Sequence, residues 1–400
     1  MSDASPPFGD AVVDGRAWRD FCERMARLGE RILGPDFPSS PRDRAEGFRH
    51  LANQVSGWLA WAIGYPDAEH PAFFRQNDQV VRWGGPNVDQ VTRRARVDGA
   101  GTYRVAGTMG ACEEFILTVK DGDMHMERYG ILSETLASEL GIGRGDDFAI
   151  VLSAERPDVD EPWIALHPEA RMLNLREYYF DWAPKPPAVV TIERLDTAGT
   201  APPPLTPARV EAMLEEAATL VERSLVYWND YVRTKKSRLP ANTMGPPRHS
   251  PGGSSRIHYS FGFYDLAPDQ ALIIDAGPPQ CRFWSAQLYT LAWFEPFDYA
   301  NHVTSINHTQ GHLSTDGHFR VVVAHEDPGV ANWLDTEQRP EGMITHRWID
   351  AWSEPSVETS VVPFEEVLDH LPSDTPRVDQ HARRDEIRRR QQHVAWRYRT

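Results

Sequence analysis

Cysteine and lysine are both scarce in this chain of 400 residues. The three cysteines, Cys22, Cys112 and Cys281, are odd in number and far apart. That excludes a disulfide framework and the paired spacing of a zinc finger, and the expectation is three buried, reduced thiols. Lysine occurs only at Lys120, Lys185, Lys235 and Lys236, so nearly all positive charge is arginine. A GC-rich genome and a need for bidentate anion recognition both give that bias. Positive charge is also in deficit overall, with a net charge of −16 and a pI near 5.4. A surface of that sign repels a phosphate backbone, so no nucleic-acid partner is expected. No run approaches the roughly 20 apolar residues that span a bilayer. The leader Met1-Ser2-Asp3-Ala4-Ser5-Pro6-Pro7 lacks the basic and then apolar regions of a secretory signal. The default expectation is a cytoplasmic protein without a membrane partner.

What is present suffices for folded domains. Apolar residues make up 40% and charged residues 25%, ordinary values for a globular protein, and the length predicts two or three domains. Residues 1–70 read as a helical cover. Arg16–Leu33 carries a stripe of Trp18, Phe21, Cys22, Met25, Leu28 and Ile32, and a second helix starts at Ser40-Pro41 with Ala45, Phe48, Leu51, Val55 and Leu59. Over 71–200 the period falls to two, and short strands between turn signals predict an antiparallel β domain. The proposed strands include Gln79–Trp83, Val91–Val97, Glu114–Val119 and Met172–Tyr179, and Ser133–Leu140 is ambiguous. Residues 201–256 form a linker. Ala201-Pro202-Pro203-Pro204 marks its start, Thr206 caps a long helix opened by Pro207, and Leu239–Ser255 is an aperiodic loop suited to a lid or binding loop. A second antiparallel sandwich is expected over 257–375, and 376–400 is a basic helix, either exposed or docked on the acidic body. The fold class is thus mainly β with α, a multi-domain α+β chain.

Candidate chemistry concentrates in 281–336. Arg282, Trp284, Ala286 and Leu288 alternate with Phe283, Ser285, Gln287 and Tyr289. The first set has the bulk of a core; the second mixes aromatic and polar groups as a ligand wall does, or is a sheet face under the long helix. His302, His308 and His312 share parity but sit too far apart on an extended strand to hold one ion, so no metal is expected. His325 and Asp335 offer an acid/base pair, against a reading as turn chemistry around Asp327-Pro328-Gly329. Arg176-Glu177-Tyr178-Tyr179 supplies a guanidinium for a carboxylate and a phenol for proton transfer, with a structural Arg–Glu network as the competing reading. No nucleophile elbow, phosphate loop or dinucleotide fingerprint occurs, so no cofactor is expected.

Several unusual runs recur together: Cys281-Arg282-Phe283-Trp284, Gln287-Leu288-Tyr289, Ser305-Ile306-Asn307, Phe319-Arg320-Val321-Val322-Val323-Ala324-His325 and Asn332-Trp333-Leu334-Asp335-Thr336. In this order they resemble the domain of unknown function 1214 family over roughly residues 255–350. The resemblance implies a jelly-roll-like C-terminal sandwich, a helical insertion before it and a further β domain, and it brings no catalytic residue or cofactor with it. An Asn-Pro-Asp-like turn is expected near residue 87 on that resemblance, whereas this chain has Pro86-Asn87-Val88-Asp89.

The resulting expectation is a pocket for a small aromatic or alicyclic, anionic molecule. Arg176, Tyr179, Phe283, Gln287, Tyr289 and Asn307 would bind it, and His325, Asp335 and Tyr178 would move protons in a hydrolysis or elimination. The alternative is a non-catalytic module that binds a glycan or other ligand. Partners are then a small-molecule ligand, with a homo-oligomer left open.

Overall fold

The computed structural model describes residues 9–277 and 280–398; the Met1–Pro7 leader lies outside them. Three N-terminal helices come first, α1 (Asp10–Val13), α2 (Arg16–Ile32) and α3 (Pro41–Leu59). The predicted cap of α3 is present: Ser40 accepts from Asp43 N at 3.1 Å, with Pro41 at the first position. Its buried face differs from the apolar stripe. Phe48 is largely exposed, while His50, Gln54 and Trp58 are buried, because His50 pairs with Glu295 at 2.6 Å and Gln54 accepts from both Trp58 and Ser224. On α2, Phe21, Leu28 and Ile32 face inward and Trp18 is exposed. Cys22 is exposed with it, which corrects the expectation of three buried thiols; Cys112 and Cys281 are buried, and all three are free.

Nine strands form the first β unit: β1 (Phe74–Asn77), β2 (Gln90–Arg96), β3 (Tyr103–Thr108), β4 (Glu114–Lys120), β5 (Ile131–Leu136), β6 (Asp147–Ser153), β7 (Trp163–Ala165), β8 (Met172–Tyr178) and β9 (Val189–Arg194). The ambiguous segment becomes β5 and a short turn of helix. Gln79–Trp83 is not a strand, since Asp78 folds the chain back by accepting from Val80 N and Val81 N. Helix α4 (Pro207–Lys236) follows with its Thr206 cap. The second unit contains β10 (Thr243–Met244), β11 (Ile257–Asp265), β12 (Gln270–Ala276), β13 (Cys281–Tyr289), β14 (Ser305–Asn307), β15 (Phe319–Ala324), β16 (Trp333–Asp335), β17 (Glu341–Ala351) and β18 (Val357–Pro363), and α5 (Gln380–Tyr398) closes the chain.

The two units are one topology used twice. The first pairs its strands as β1-β2-β8-β4-β5 and β7-β6-β3-β9, and the second as β10-β11-β17-β13-β14 and β16-β15-β12-β18. Adding nine to each label of the first unit gives the second. Within each unit the five-stranded and four-stranded sheets pack face to face over one core. Pairing is antiparallel except at β6–β7 and β15–β16. There a three-residue edge strand returns over a loop in the same direction, so the four-stranded sheets are mixed rather than purely antiparallel.

Helix α4 lies against α2 and α3 and contributes Val221, Leu225, Trp228 and Val232 to a core shared with Tyr289 and Phe294. The basic C-terminal segment docks. Arg383, Arg390 and Arg397 recur every seventh residue and are buried. Arg383 reaches Asp327 and the Val330 carbonyl, Arg390 the Ser305 carbonyl, and Arg397 the Val88 carbonyl. The helix therefore straps the second unit to the first. Among the described residues no helix is long and apolar enough to cross a membrane.

Candidate functional site

Strand alternation sends every second residue of a sheet to the opposite face, and in the first five-stranded sheet that face is unusually polar. Phe115, Leu117, Val119, Leu173 and Leu175 enter the core. Their neighbours Thr118, Lys120, Asn174 and Arg176, with Gln90, Thr92 and Arg94 of β2, point the other way. Registration sets Thr92 beside Arg176, and Asn174 between Arg94 and Thr118. Burying such a plate is costly unless the groups meet one another or a ligand.

The second five-stranded sheet faces it. Tyr259 and Phe261 of β11 and Arg347 of β17 lie on this side, with Tyr259 and Ser285 flanking Arg347. The duplicated topology makes Arg176 and Arg347 counterparts. Each is the fifth residue of a run that begins at a methionine, Met172-Leu173-Asn174-Leu175-Arg176 and Met343-Ile344-Thr345-His346-Arg347, on the central strand of its sheet.

Between the plates is a cavity of about 150 Å³, lined by Lys120, Asp123, Asn174, Arg176, Tyr259 and Arg347, and bordered by Trp83, His125, Trp228, Tyr231 and Phe294. A cavity of that size accepts a single six-membered ring. Two loops complete the rim. Ser250, Gly252 and Gly253 come from the aperiodic segment after α4, which therefore covers the chamber. Gly84, Gly85, Pro86 and Asn87 form the other side. This is the turn at which the family resemblance fails, and it is tightly held. Pro86 O accepts from Gln287 Nε2 at 3.1 Å and Tyr289 Oη at 2.9 Å, Val88 N donates to Gln287 Oε1 at 3.1 Å, and Gly85 O accepts from Arg347 at 3.0 Å. Gly85 has φ +65°, and a Cβ there would lie 2.2 Å from the Phe294 ring.

The electrostatics favour an anion. Arg347 is 4% exposed and gives one nitrogen to Gly85 O and Tyr289 Oη, while its Nη1 has no protein partner. Among the described residues it meets no carboxylate. Lys120 is also 4% exposed, and its ammonium has neither a hydrogen-bond nor an ion-pair partner among those residues. Burial pushes it down to about 8, assisted by Arg176 and Arg94 and opposed by Asp123. Asp123 is committed elsewhere. Burial alone would raise its carboxyl, but Arg94, His125 and Lys120 hold it at about 2, and Arg94, lying over Trp61 at 4.4 Å, is its ion-pair partner. His125 is packed against Trp58 and Trp83 with centroids at 5.1 and 5.3 Å, and neither ring nitrogen has a protein partner. Burial lowers it to about 4, so the imidazole is neutral near pH 7 and its protonation is disfavoured.

The sequence candidates divide. Arg176 lines the chamber, donating to Thr118 at 2.7 Å. Gln287 and Tyr289 hold the turn that forms its rim. Tyr178 shares the face of Arg176 but belongs to an aromatic patch beside the chamber, with Phe283 at 6.1 Å and Phe180 at 5.5 Å; burial raises its phenol. Phe283 stacks on Phe180 at 4.2 Å. Tyr179 turns away, donates to Glu177 at 2.7 Å and accepts from Ala188 N, and Glu177 also pairs with Arg93. This is an Arg–Glu–Tyr network of the structural kind. Asn307 donates to Asp89 at 2.7 Å and to the Phe180 carbonyl, tying the units together outside the chamber.

His325 and Asp335 are not brought together. His325 meets Thr336 Oγ1 at 2.6 Å and Leu266 O at 3.2 Å, whereas Asp335 pairs with His302 at 2.8 Å. Neither lines the chamber, and the proton-transfer pair expected of them is not formed. His308 packs edge-on against Phe180, so the three histidines do not converge. Among the described residues no group of three or more His, Cys, Asp or Glu is arranged to hold a metal ion.

Sequence reasoning missed Lys120, His125, Asn174 and Arg347. A usable signal existed for Lys120 and Asn174: apart from the Arg93–Glu177 pair, the polar residues of β2, β4 and β8 share one parity, inside runs apolar enough to be buried on their other parity.

Comparison with known proteins adds kinship but no activity. The family model described as "Protein of unknown function (DUF1214)" matches residues 265–351, from the end of β11 to the end of β17. The crystal structure of an uncharacterized protein from Burkholderia cenocepacia is similar over 89% of this chain and 99% of that one, with 32% identity and a TM-score of 0.80. That of a protein from Vibrio parahaemolyticus covers 85% of this chain and 99% of its own at 12% identity, with a TM-score of 0.46. No curated protein matches the chain.

Proposed function

The chain belongs to the DUF1214 family, whose function is unknown, and we propose that it encloses a small organic anion of about one ring between its two β units and acts on it by proton transfer. One observation carries this reading. Lys120 and Arg347, both buried, line a single cavity; the Nη1 of Arg347 has no protein acceptor, and Lys120 forms no ion pair among the described residues. Buried cations are kept unpaired at a cost of several kcal/mol unless something else meets them, and a carboxylate matches a guanidinium in shape and charge. Trp83, Trp228 and Phe294 supply apolar walls for a ring. Lys120, held at about 8, is the group that exchanges a proton there, a role for which the sequence had nominated His325, and the unpartnered imidazole of His125 offers a neutral hydrogen-bonding group beside it. Elimination or hydrolysis of such an anion is the class of reaction that this set serves.

Thermal unfolding of the full chain with benzoate, cyclohexanecarboxylate and the neutral benzamide tests the reading. The two carboxylates are expected to raise Tm and benzamide to leave it unchanged, with Arg347→Met and Arg176→Met removing the effect. Equal stabilisation by benzamide, or a carboxylate effect that survives both substitutions, would refute it.

A further inference from the structure

We infer that Lys120 is an amine nucleophile, and that it forms an imine with the carbonyl carbon of an aldehyde or ketone acid whose carboxylate is held by Arg347. This rests on the anion-binding reading above and names its substrate class. The four lysines of the chain separate cleanly. Lys185 pairs with Asp181 at 3.7 Å, Lys236 pairs with Glu341, and Lys235 lies over Tyr231 and Phe261 at 4.6 and 4.2 Å. Lys120 alone has no such partner. It ends β4 on the polar face, at the wall of the chamber, and the nearby carboxylate of Asp123 is engaged by Arg94. A lysine serving only structure is rarely buried in this way without a counter-ion. One set beside cationic groups in a desolvated cavity is instead the arrangement that raises the neutral, nucleophilic fraction of an amine. The lowering of its ionisation to about 8 agrees.

The chemistry balances without a redox partner. The Nζ lone pair adds to the carbonyl carbon, the C=O π electrons move to oxygen, and a proton passes from nitrogen to oxygen to give a carbinolamine. Loss of that oxygen as water, taking the remaining proton of nitrogen, leaves the C=N bond. The imine draws electrons from the adjacent carbon, which is what an elimination or proton abstraction beside it requires.

The test incubates the full chain with 4-formylbenzoate, or with the neutral 4-methylbenzaldehyde, and traps the imine with cyanoborohydride, which delivers hydride to its carbon. Peptide mass spectrometry then locates the secondary amine. With 4-formylbenzoate at pH 8, labelling of Lys120 is expected to exceed that of Lys185 or Lys236 by about a hundredfold, because an amine titrating near 8 is half neutral there and an ordinary lysine is under about 1% neutral. The rate should rise with pH through that region. Benzoate should compete, Lys120→Met should abolish the adduct, and Arg347→Met should slow the acid to the rate of the neutral aldehyde. Labelling spread evenly over the lysines, or none at Lys120 while benzoate still raises Tm, would overturn the imine and leave anion binding standing. Failure of benzoate and 4-formylbenzoate to raise Tm, together with no adduct, would overturn both. Site mapping and benzoate competition on the unsubstituted chain decide the matter even where a variant does not fold.

Discussion

Arg347→Met separates a group kept for a ligand from one kept for the fold. The substitution removes two hydrogen bonds, to Gly85 O at 3.0 Å and Tyr289 Oη at 2.5 Å, each worth about 1.5–3 kcal/mol when the donor is charged. Part of that loss is recovered locally, because Tyr289 still donates to Pro86 O at 2.9 Å. The substitution also removes a buried guanidinium that has no carboxylate among the described residues, and the desolvation released is several kcal/mol. The two contributions oppose each other, and the net change in the unliganded chain is expected to lie within about 2 kcal/mol of zero. Glu295 provides the contrast. It is 1% exposed and pairs with His50 at 2.6 Å and Arg49 at 3.1 Å, so Glu295→Ala leaves charge uncompensated and should cost about 3–5 kcal/mol. Urea unfolding of both variants beside the parent reads the difference directly. If Arg347→Met loses as much stability as Glu295→Ala, the guanidinium is a structural keystone and the argument for its unpaired nitrogen as a ligand group fails.

Gly85→Ala would force a Cβ to within 2.2 Å of the Phe294 ring at a φ of +65°; the expected outcome is a loss of about 3 kcal/mol or more, and a Tm equal to that of the parent would show that the turn is not held as described. Asn307→Leu should cost about 2–4 kcal/mol by stripping a hydrogen bond from the buried Asp89 carboxylate, yet leave benzoate binding intact, because Asn307 is outside the chamber; weakened binding in a variant that melts normally would return it to the site. The chain should also be acid-labile. Burial holds His125 at about 4, His346 at about 3 and His393 at about 2, with Arg347 adding to the shift at His346 and Arg397 at His393. Unfolded imidazoles take protons near 6.5, so the stability these groups contribute is complete above that pH. It is lost as pH falls toward the folded values, by about 1.4 kcal/mol per pH unit for each histidine. Unfolding measured between pH 7 and 4.5 should show this slope, and His346→Leu should remove about one proton from it; a flat profile would refute the assignment.

Much of the architecture was legible because it follows local rules. Pro41 and Pro207 behind Ser40 and Thr206 placed two helices at their starts, and the change of period from about four to two located both β regions. Trp284, Ala286 and Leu288 enter the core of the second unit as their alternation requires. Failures came where a tertiary partner outweighed the local pattern. His50 and Gln54 are buried because Glu295, Trp58 and Ser224 satisfy them, while the apolar Phe48 is left outside. His325 follows the end of β15 and Asp335 ends the neighbouring β16, ten residues on, yet each has a nearer partner. The chamber was the least legible part. Its walls come from strands about 170 residues apart, and its chemistry rests on which polar groups lack partners, a property of the folded state alone.

The duplication explains why the chamber lies where it does. Each unit covers one face of its five-stranded sheet with its own four-stranded sheet and leaves the other face without a cover from within the unit. A polar face cannot be buried against solvent-free packing without partners, and an apolar face cannot remain in water without cost. Bringing two copies face to face covers both at once, and the strap of α5 with the contacts of Asn307, Gln287 and Arg347 fixes the pairing. The two faces are unlike in chemistry. In the register of the central strands, Lys120 stands beside Met172 where Tyr289 stands beside Met343, and Arg94 beside Asn174 where Phe261 stands beside Thr345. One plate thus carries charge and the other mostly aromatic surface, and only the central arginines, Arg176 and Arg347, are common to both. An organic anion has the same two halves, a charged group and a carbon skeleton. A chamber with one charged plate, one aromatic plate and a guanidinium on each has the polarity to orient such a molecule in a single direction.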